Sequence, residues 1–393
     1  MTIKPGRLDT ALSRELQQLE STSSRRSLRA LSQTGKVVQR NGKRLLNLAG
    51  NDYLGLAQHP AVIEAAKHAA QQHGVGSGAS RLVTGTLDAH EALEQRFASL
   101  KHAEAALLFP SGYTANLAVL TALARPGDVV LQDKLNHASL IDAARFSGAT
   151  VRTFPHLGYD KLEALLQKYQ DERAENSRVF IVTDTVFSMD GDTADLPRLA
   201  CLAERYDAVN VIDEAHATGV LGETGAGLAE AQQIAERIDI TVSTASKALG
   251  SWGGIVSASR PVIDTLINRA RPLIYTTAGP PIQAAVIAAA LDVLSSEPGR
   301  RHRLAEISSH FRQSLQMRGW EVGNNPTPIV PLVVGHNDAA IQLASRLEDA
   351  GILAVAIRPP TVPPGSARVR LSLRADLTDD ETKQVLAAIP EKH

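Results

Sequence analysis

The sequence predicts an α/β protein. It should have a large domain built on a mainly parallel sheet covered by helices, a small α+β domain at the C-terminal end, and an N-terminal arm. Three observations carry this. Short apolar runs recur at Ala105–Phe109, Val129–Gln132, Thr150–Phe154, Val179–Thr183, Val209–Ile212 and Ile238–Val242, with helical stretches filling most of the gaps. Most are apolar throughout rather than alternating, which is how strands buried on both faces read. After Pro298 the texture changes to a basic helix (Arg300, Arg301, Arg303), followed by strands near Ile329–Val334 and Val369–Leu373 with two flanking helices. Finally, 393 residues exceed what one small core usually holds.

The elements follow in order. Residues 8–34 are rich in Gln, Glu, Ser and Arg and predict an amphipathic helix. Asn41-Gly42 between Val37-Val38 and Leu45-Leu46 signals a hairpin. Together these form an arm over 1–55. The large domain spans 56–296. His59-Pro60 opens a helix through about Gln72, Gly74-Val75-Gly76-Ser77-Gly78 is a loop, and a helix covers Leu87 to Ser99. The run Ile282–Leu294 is interrupted by Gln283 and Asp292 and is shorter than the ~20 residues a bilayer demands, so it reads as a buried helix. The small domain spans 297–393.

Composition narrows the function. Hydrophobic residues at 44% and charged residues at 21% are ordinary for a soluble globular chain. A net charge of −1 leaves no footprint for nucleic acid. Cys201 stands alone, so no intrachain disulfide can form, and a reducing cytoplasm is the expected setting. The polar start (Arg7, Asp9, Arg14, Glu15) has no signal-peptide core.

Lys247 lies among small residues in Ser243-Thr244-Ala245-Ser246-Lys247-Ala248-Leu249-Gly250, just past an expected strand. Such an amine can form a Schiff base with an aldehyde cofactor. Asp213 ends another expected strand, and a carboxylate there can hold a protonated ring nitrogen. This pairing is what proteins supply to pyridoxal 5'-phosphate (PLP). Alone, Lys247 could be an exposed lysine at a helix start, and Asp213 a helix N-cap. His216, three residues on, could reach the cofactor's phenolic oxygen or a substrate carboxylate. No His or Cys stands nearby at ligand spacing, so no metal is expected. Ser111-Gly112-Tyr113-Thr114-Ala115-Asn116 is a strand-to-helix turn whose amides suit a phosphate. His137 could stack on a ring, although a lone histidine is more often an ordinary polar residue. Ser188 could bond a ring oxygen.

Two phrases look functional and fail. Gly222-Glu223-Thr224-Gly225-Ala226-Gly227 lacks the Gly-Lys-Ser/Thr of a P-loop. Asp190-Gly191-Asp192-Thr193-Ala194-Asp195 lacks the glycine and the bidentate glutamate of a calcium loop.

The order of these motifs resembles the α-oxoamine synthases, fold-type-I PLP enzymes, from about Asn51 to Ala375. The phrases that carry the resemblance are Asn51-Asp52-Tyr53-Leu54-Gly55-Leu56, Gly76-Ser77-Gly78-Ala79-Ser80-Arg81, Val186-Phe187-Ser188-Met189-Asp190-Gly191-Asp192, Asp213-Glu214-Ala215-His216-Ala217-Thr218-Gly219 and Ile357-Arg358-Pro359-Pro360-Thr361-Val362-Pro363. The resemblance implies that Lys247 carries PLP, Asp213 pairs with its ring nitrogen and His137 stacks on the ring. Ser188 and His216 would contact ring oxygen or substrate. Thr244 and the Gly112-Tyr113 backbone would place the phosphate. On the substrate side it implies Asn51, Thr361 and Arg370, with Arg370 gripping the amino-acid carboxylate. Arg25 falls where the family has a substrate-contacting arginine, with Arg26 as the alternative.

Within the family, Gly76–Arg81 and Arg358–Pro363 favour the member that joins L-alanine to a pimeloyl thioester, on coenzyme A or on acyl carrier protein, over members that join glycine to acetyl- or succinyl-CoA or serine to a long acyl chain. The presence of Lys247, Asp213, His137 and His216 argues against a non-catalytic PLP-binding homologue. A homodimer is also implied. Two departures stand out: Asp184-Thr185 where Glu and a small residue are usual, and Thr-Ala-Ser-Lys at the lysine loop.

Overall fold

The computed structural model describes residues 6–33, 35–172 and 176–392. The arm begins with α1 (Arg7–Ser21), on which no residue is buried. The helix is shorter than the expected 8–34. Ser21 and Thr22 turn their hydroxyls back onto the Gln18 carbonyl, and Ser23 takes φ 50°. Such side-chain bonds offer the backbone an alternative to further helix. Residues 1–5 of the expected arm, residue 34 of the expected helix and residue 393 of the expected small domain lie outside the described residues.

The hairpin forms as expected. β1 (Val37–Arg40) and β2 (Lys43–Asn47) pair antiparallel around Asn41 and Gly42, both at positive φ. That is the geometry of a two-residue turn matching strand twist.

The central sheet has seven strands: β3 (Ala105–Phe109), β4 (Val129–Asp133), β5 (Thr150–Phe154), β6 (Val179–Asp184), β7 (Val209–Asp213), β8 (Ile240–Thr244) and β9 (Gly254–Ala258), in the order β3-β9-β8-β7-β6-β4-β5. All pairings are parallel except those of β9, which runs antiparallel to both neighbours. β9 was not expected from the sequence. Its apolar run is only Ile255-Val256 before Ser257, and Gly250, Gly253 and Gly254 around it read as loop.

Around the sheet lie α2 (Pro60–His73), α3 (Asp88–Leu100), α4 (Gly112–Leu123), α5 (Ala138–Phe146), α6 (Tyr159–Glu172), α7 (Leu196–Arg205), the single turn α8 (Leu228–Ala231), α9 (Arg260–Arg269), the single turn α10 (Arg271–Ile274) and α11 (Pro281–Ser296). Strand side chains alternate between faces. Val130, Val182, Val211 and Val242 pack with Ala118, Leu120 and Leu140 of α4 and α5. Ile212 and Leu108 pack with Leu93, Ile287 and Leu291 of α3 and α11, while Leu131 and Ile181 pack with α6 and α7. Both faces are therefore covered, as the apolar strands predict.

The remainder comprises α12 (Gly299–Gln316), β10 (Ile329–Gly335), α13 (Asn337–Asp349), β11 (Ile352–Leu353), β12 (Val355–Ile357), β13 (Ala367–Ser372) and α14 (Asp379–Ala388). β10, β13 and β12 form an antiparallel sheet, and β11 joins β2 in parallel. No helix among the described residues is long and apolar enough to cross a membrane.

Candidate active site

Open α/β sheets bind ligands beyond the carboxyl ends of their strands. Here β6 ends at Asp184, β7 at Asp213 and β8 at Thr244, while β3 leads into Ser111. Asp184 and Asp213 are partners across the β6–β7 ladder.

Asp213 is buried. Its Oδ1 accepts the Ala215 amide at 2.7 Å and its Oδ2 accepts the Asn116 side-chain amide at 2.7 Å. Among the described residues no Lys, Arg or His pairs with it. A buried carboxylate with hydrogen bonds but no cation is costly unless a positive group completes it. The protonated ring nitrogen of PLP is such a group, so the residues fit that cofactor.

Asn116 also donates to Ser139 Oγ at 2.8 Å, and Ser139 Oγ lies 2.7 Å from His137 Nδ1. His137 caps α5, and its own amide donates to Asp184 Oδ2 at 2.6 Å. His137 is exposed as a residue. Partial enclosure lowers its pKa; Asp213 opposes this and Lys247 reinforces it. Burial, with Asp213 beside it, raises Asp184 well above the usual carboxylate range.

Lys247 is half-buried on the loop after β8, and its amine makes no hydrogen bond among the described residues. Burial depresses its pKa, against the pull of Asp213 and Asp184. Thr244 Oγ1 donates to the Gly253 carbonyl at 2.8 Å and lies 2.8 Å from Ser246 Oγ. Gly112 sits against Thr244 at the start of α4, where Ser111 and Thr114 form a capping box. The helix offers no acceptor to its first-turn amides, those of Gly112 and Tyr113. The Tyr113 hydroxyl is occupied with Asp142.

On the other side, Arg370 Nη1 donates to the Ser188 carbonyl at 3.0 Å and Nη2 to Asn51 Oδ1 at 3.1 Å. No carboxylate pairs with this guanidinium among the described residues, so it can take a substrate's carboxylate bidentately. Tyr53, fully buried, places its hydroxyl 2.7 Å from His216 Nδ1 and 3.3 Å from Asn51 Oδ1. Burial holds His216 neutral, its pKa well below the ordinary value, with Lys247 and Arg370 acting in the same direction. The Ser188 loop closes on Gly191, at φ 70°, where a Cβ would stand 2.5 Å from the Ile329 carbonyl. Asp190 pairs with Arg368, Asp192 with His156, and Asp195 caps α7 by accepting the Arg198 amide at 3.1 Å, which accounts for the three acidic residues of the calcium-like phrase.

The structure thus gathers Lys247, Asp213, His137, His216, Ser188, Asn51 and Arg370. Arg25 and Arg26 line one cavity with Thr361 but differ in partner: Arg25 pairs with Glu20 at 2.8 Å, whereas Arg26 Nη2 donates to Thr361 Oγ1 at 3.0 Å. Sequence reasoning assigned no role to Asn116, Ser139 or Tyr53. Asn116 and Tyr53 lie inside phrases already singled out, but nothing in their spacing shows which neighbour they bond.

Fold and site define a fold-type-I PLP-dependent enzyme. Residues 43–389 match the aminotransferase class I and II family. A putative 8-amino-7-oxononanoate synthase of Geobacillus kaustophilus is 46% identical over 97% of this chain and 97% of its own length. The 8-amino-7-oxononanoate synthase of Geobacter sulfurreducens is 45% identical over 95% and 96%. Among solved structures, a serine palmitoyltransferase from S. paucimobilis carrying PLP and myriocin superposes with TM-score 0.91 at 28% identity, covering 98% of this chain and 97% of that one. The 8-amino-7-oxononanoate synthase of Francisella tularensis gives TM-score 0.74 at 29% identity, covering 88% and 96%. The chain belongs to the aminotransferase class I and II family and, within it, to the 8-amino-7-oxononanoate synthases of the α-oxoamine synthase group.

Proposed function

We propose that the chain catalyses the decarboxylative condensation of L-alanine with a pimeloyl thioester, giving 8-amino-7-oxononanoate, carbon dioxide and free thiol, in biotin biosynthesis. The observation that carries this is a buried Asp213, hydrogen-bonded but with no ion-pair partner among the described residues, set near a Lys247 whose amine makes no hydrogen bond and whose pKa burial depresses. Lys247 would hold PLP through its aldehyde and Asp213 through its ring nitrogen. The imidazole of His137 would lie on the ring, with Ser188 and His216 at its oxygen. Thr244 and the Gly112 and Tyr113 amides would hold the phosphate. When bound, PLP supplies an electron sink for charge left at an amino-acid α-carbon.

The chain's own groups do the rest. Arg370, oriented by Asn51 and the Ser188 carbonyl, binds the alanine carboxylate. Neutral His216 adds no positive charge to compete for it. A lysine amine with a depressed pKa spends more time unprotonated near neutral pH and can take the α-proton. In the net reaction, the alanine α-carbon would form a bond to the acyl carbon, and the thioester C–S bond would break to release the thiol. The alanine carboxylate would leave as carbon dioxide, which makes the reaction effectively irreversible.

The acyl donor would lie in a cavity that the β12–β13 ladder connects to Arg370. Val355 pairs with Arg370 across the β12–β13 ladder, and it also lines a cavity of about 810 Å³. Leu31, Ile341 and Leu353 give that cavity apolar wall; Arg25 and Arg40 line it paired with Glu20 and Glu348, and Arg26, Arg29 and Arg358 leave it net positive. This suits a chain of methylenes ending in an anion. A homodimer is part of the proposal. Exposed Leu82 and Val83 lie on a segment tied, through the Ala79–Ala278 hydrogen bond, to the stretch bearing exposed Tyr275.

The test is thiol release by the PLP-loaded protein, crossing alanine, glycine and serine with pimeloyl-, acetyl-, succinyl- and palmitoyl-CoA and with pimeloyl-acyl carrier protein. A rate confined to alanine with a pimeloyl donor is expected. A maximum with serine and palmitoyl-CoA would overturn the substrate assignment.

A further inference from the structure

A buried ion pair lies directly behind the site and has none of the roles above. Lys101 Nζ donates to Glu214 Oε2 at 2.6 Å, to Thr218 Oγ1 at 2.8 Å and to the Ala226 carbonyl. The Lys101 and Glu214 side chains are 3% and 1% exposed. All three ammonium hydrogens are committed, and the second carboxylate oxygen of Glu214 accepts the Ala229 amide at 2.9 Å. Buried ion pairs are weak devices for stability, because well-packed apolar residues of similar size often do as well. Their best-attested use is to fix one arrangement among several.

What this pair fixes is specific. Glu214 follows Asp213, and Thr218 stands four residues later, so the ammonium grips both ends of the turn that carries His216. The Glu214 carbonyl closes that turn by accepting the amides of Ala217 at 3.0 Å and Thr218 at 2.8 Å. Thr218 then donates to Ser243 Oγ at 3.1 Å, and the Glu214 amide donates to the Val242 carbonyl at 2.7 Å. Both acceptors lie on β8, immediately before the Lys247 loop. One lysine therefore registers the element bearing Asp213 and His216 against the element bearing Lys247.

The Gly-rich phrase that fails as a phosphate loop belongs to this assembly. Gly227 has φ 132°, and a Cβ there would stand 2.2 Å from Glu214 Oε2. Gly222–Gly227 closes over the ion pair, and Ala226 supplies the third acceptor.

We propose that Lys101 is a positioning residue of the cofactor site, setting the Asp213 carboxylate and His216 relative to Lys247 through the clamped 213–218 turn. This rests on the PLP reading of the site. Lys101→Met alone leaves Glu214 charged and buried without a partner, a strongly destabilising change that would mask the effect on the site. Lys101→Met/Glu214→Gln removes both charges and keeps an acceptor for Ala229. The readout is the ¹⁵N signal of ring-labelled PLP in the folded protein, together with PLP affinity and the thermal midpoint.

The double variant is expected to fold, to show the ring-nitrogen signal displaced toward the unprotonated form, and to bind PLP about tenfold more weakly, the scale typical of losing an outer-shell support. A folded double variant with the wild-type ¹⁵N signal and wild-type PLP affinity would overturn the proposal and leave Lys101 a purely structural residue. A wild-type protein that takes up no PLP would overturn the cofactor reading itself, and this inference with it.

Discussion

The side-chain amide of Asn116 donates both to Asp213 Oδ2 at 2.7 Å and to Ser139 Oγ at 2.8 Å, and Ser139 in turn lies 2.7 Å from His137 Nδ1. One amide thus links the carboxylate proposed for the ring nitrogen to the imidazole proposed for the ring face. Asn116→Leu keeps the volume and removes both bonds, leaving a buried acceptor under-bonded at a cost of about 1–3 kcal/mol. The variant should unfold at lower denaturant and bind PLP more weakly. A fluorescence titration reads the second effect. Wild-type PLP affinity in a destabilised variant would show that Asn116 serves the fold alone.

Lys247 and Asp213 should fail differently. Lys247→Ala removes both the anchoring amine and the base, so turnover should vanish along with the lysine-dependent absorbance of the bound cofactor. Loss of a general base by itself typically costs 10²–10⁴-fold, roughly. Asp213→Asn keeps the shape and the Asn116 contact region, so it should retain some PLP and lose most activity. Normal turnover in Lys247→Ala would remove the enzymatic reading, and near-normal rates in Asp213→Asn would remove the electron-sink role.

How much of this was legible beforehand follows from the range of each interaction. Strands buried on both faces announce themselves by apolar runs, and β3 through β8 lie within two residues of where those runs place them. β9 does not, because its pairing is set by distant β3 and β8 while its own sequence is small and Gly-flanked. The positions of Lys247, Asp213 and His216 at or just past strand ends were legible as local signals, while the roles proposed for them came from the resemblance. The bonds from Asn116 to Asp213 and from Tyr53 to His216 span 97 and 163 residues, and no local pattern encodes them. The expected helix over 8–34 failed for a local reason, since the hydroxyls at 21 and 22 end it.

Arg25 and Arg26 are adjacent in sequence and differ in what they hold. Arg25 pairs with Glu20, both side chains about half or more exposed, an arrangement worth about 0–1 kcal/mol. Both line the cavity assigned to the acyl donor, but Arg26 reaches Thr361 and has no carboxylate partner among the described residues. Arg26→Ala should therefore raise the KM for the thioester about tenfold, the scale of a hydrogen bond to a charged group, and leave the KM for alanine unchanged. Arg25→Ala should change either value less than about twofold. Steady-state kinetics with each substrate varied in turn decides between them, and the reverse ranking would return the role to Arg25.

His156 makes the Ser188 loop pH-sensitive. Its Nδ1 lies 3.0 Å from Asp133 Oδ1 and its Nε2 2.7 Å from Asp192 Oδ2, with its ring edge-on to Phe187. Burial opposes its charge, but hydrogen bonds to the two aspartates outweigh it and push its pKa up to about 9, from an ordinary 6.5. A folded-state pKa above the unfolded one means that the native state holds its proton more tightly. The resulting stabilisation is complete below pH 6.5 and is lost as pH climbs through 9. Its size at the acid end is about 2–3 kcal/mol, allowing for partial exposure. His156→Gln can keep a hydrogen bond but never carries the charge. Guanidinium unfolding of both proteins from pH 6 to pH 9 should show the wild type losing its advantage over this range. Because Asp192 closes the loop that presents Ser188 and its carbonyl to Arg370, the KM for alanine in the wild type should rise over the same interval while that of the variant stays flat. Parallel stability curves for the two proteins would mean that His156 is not charged in the native state.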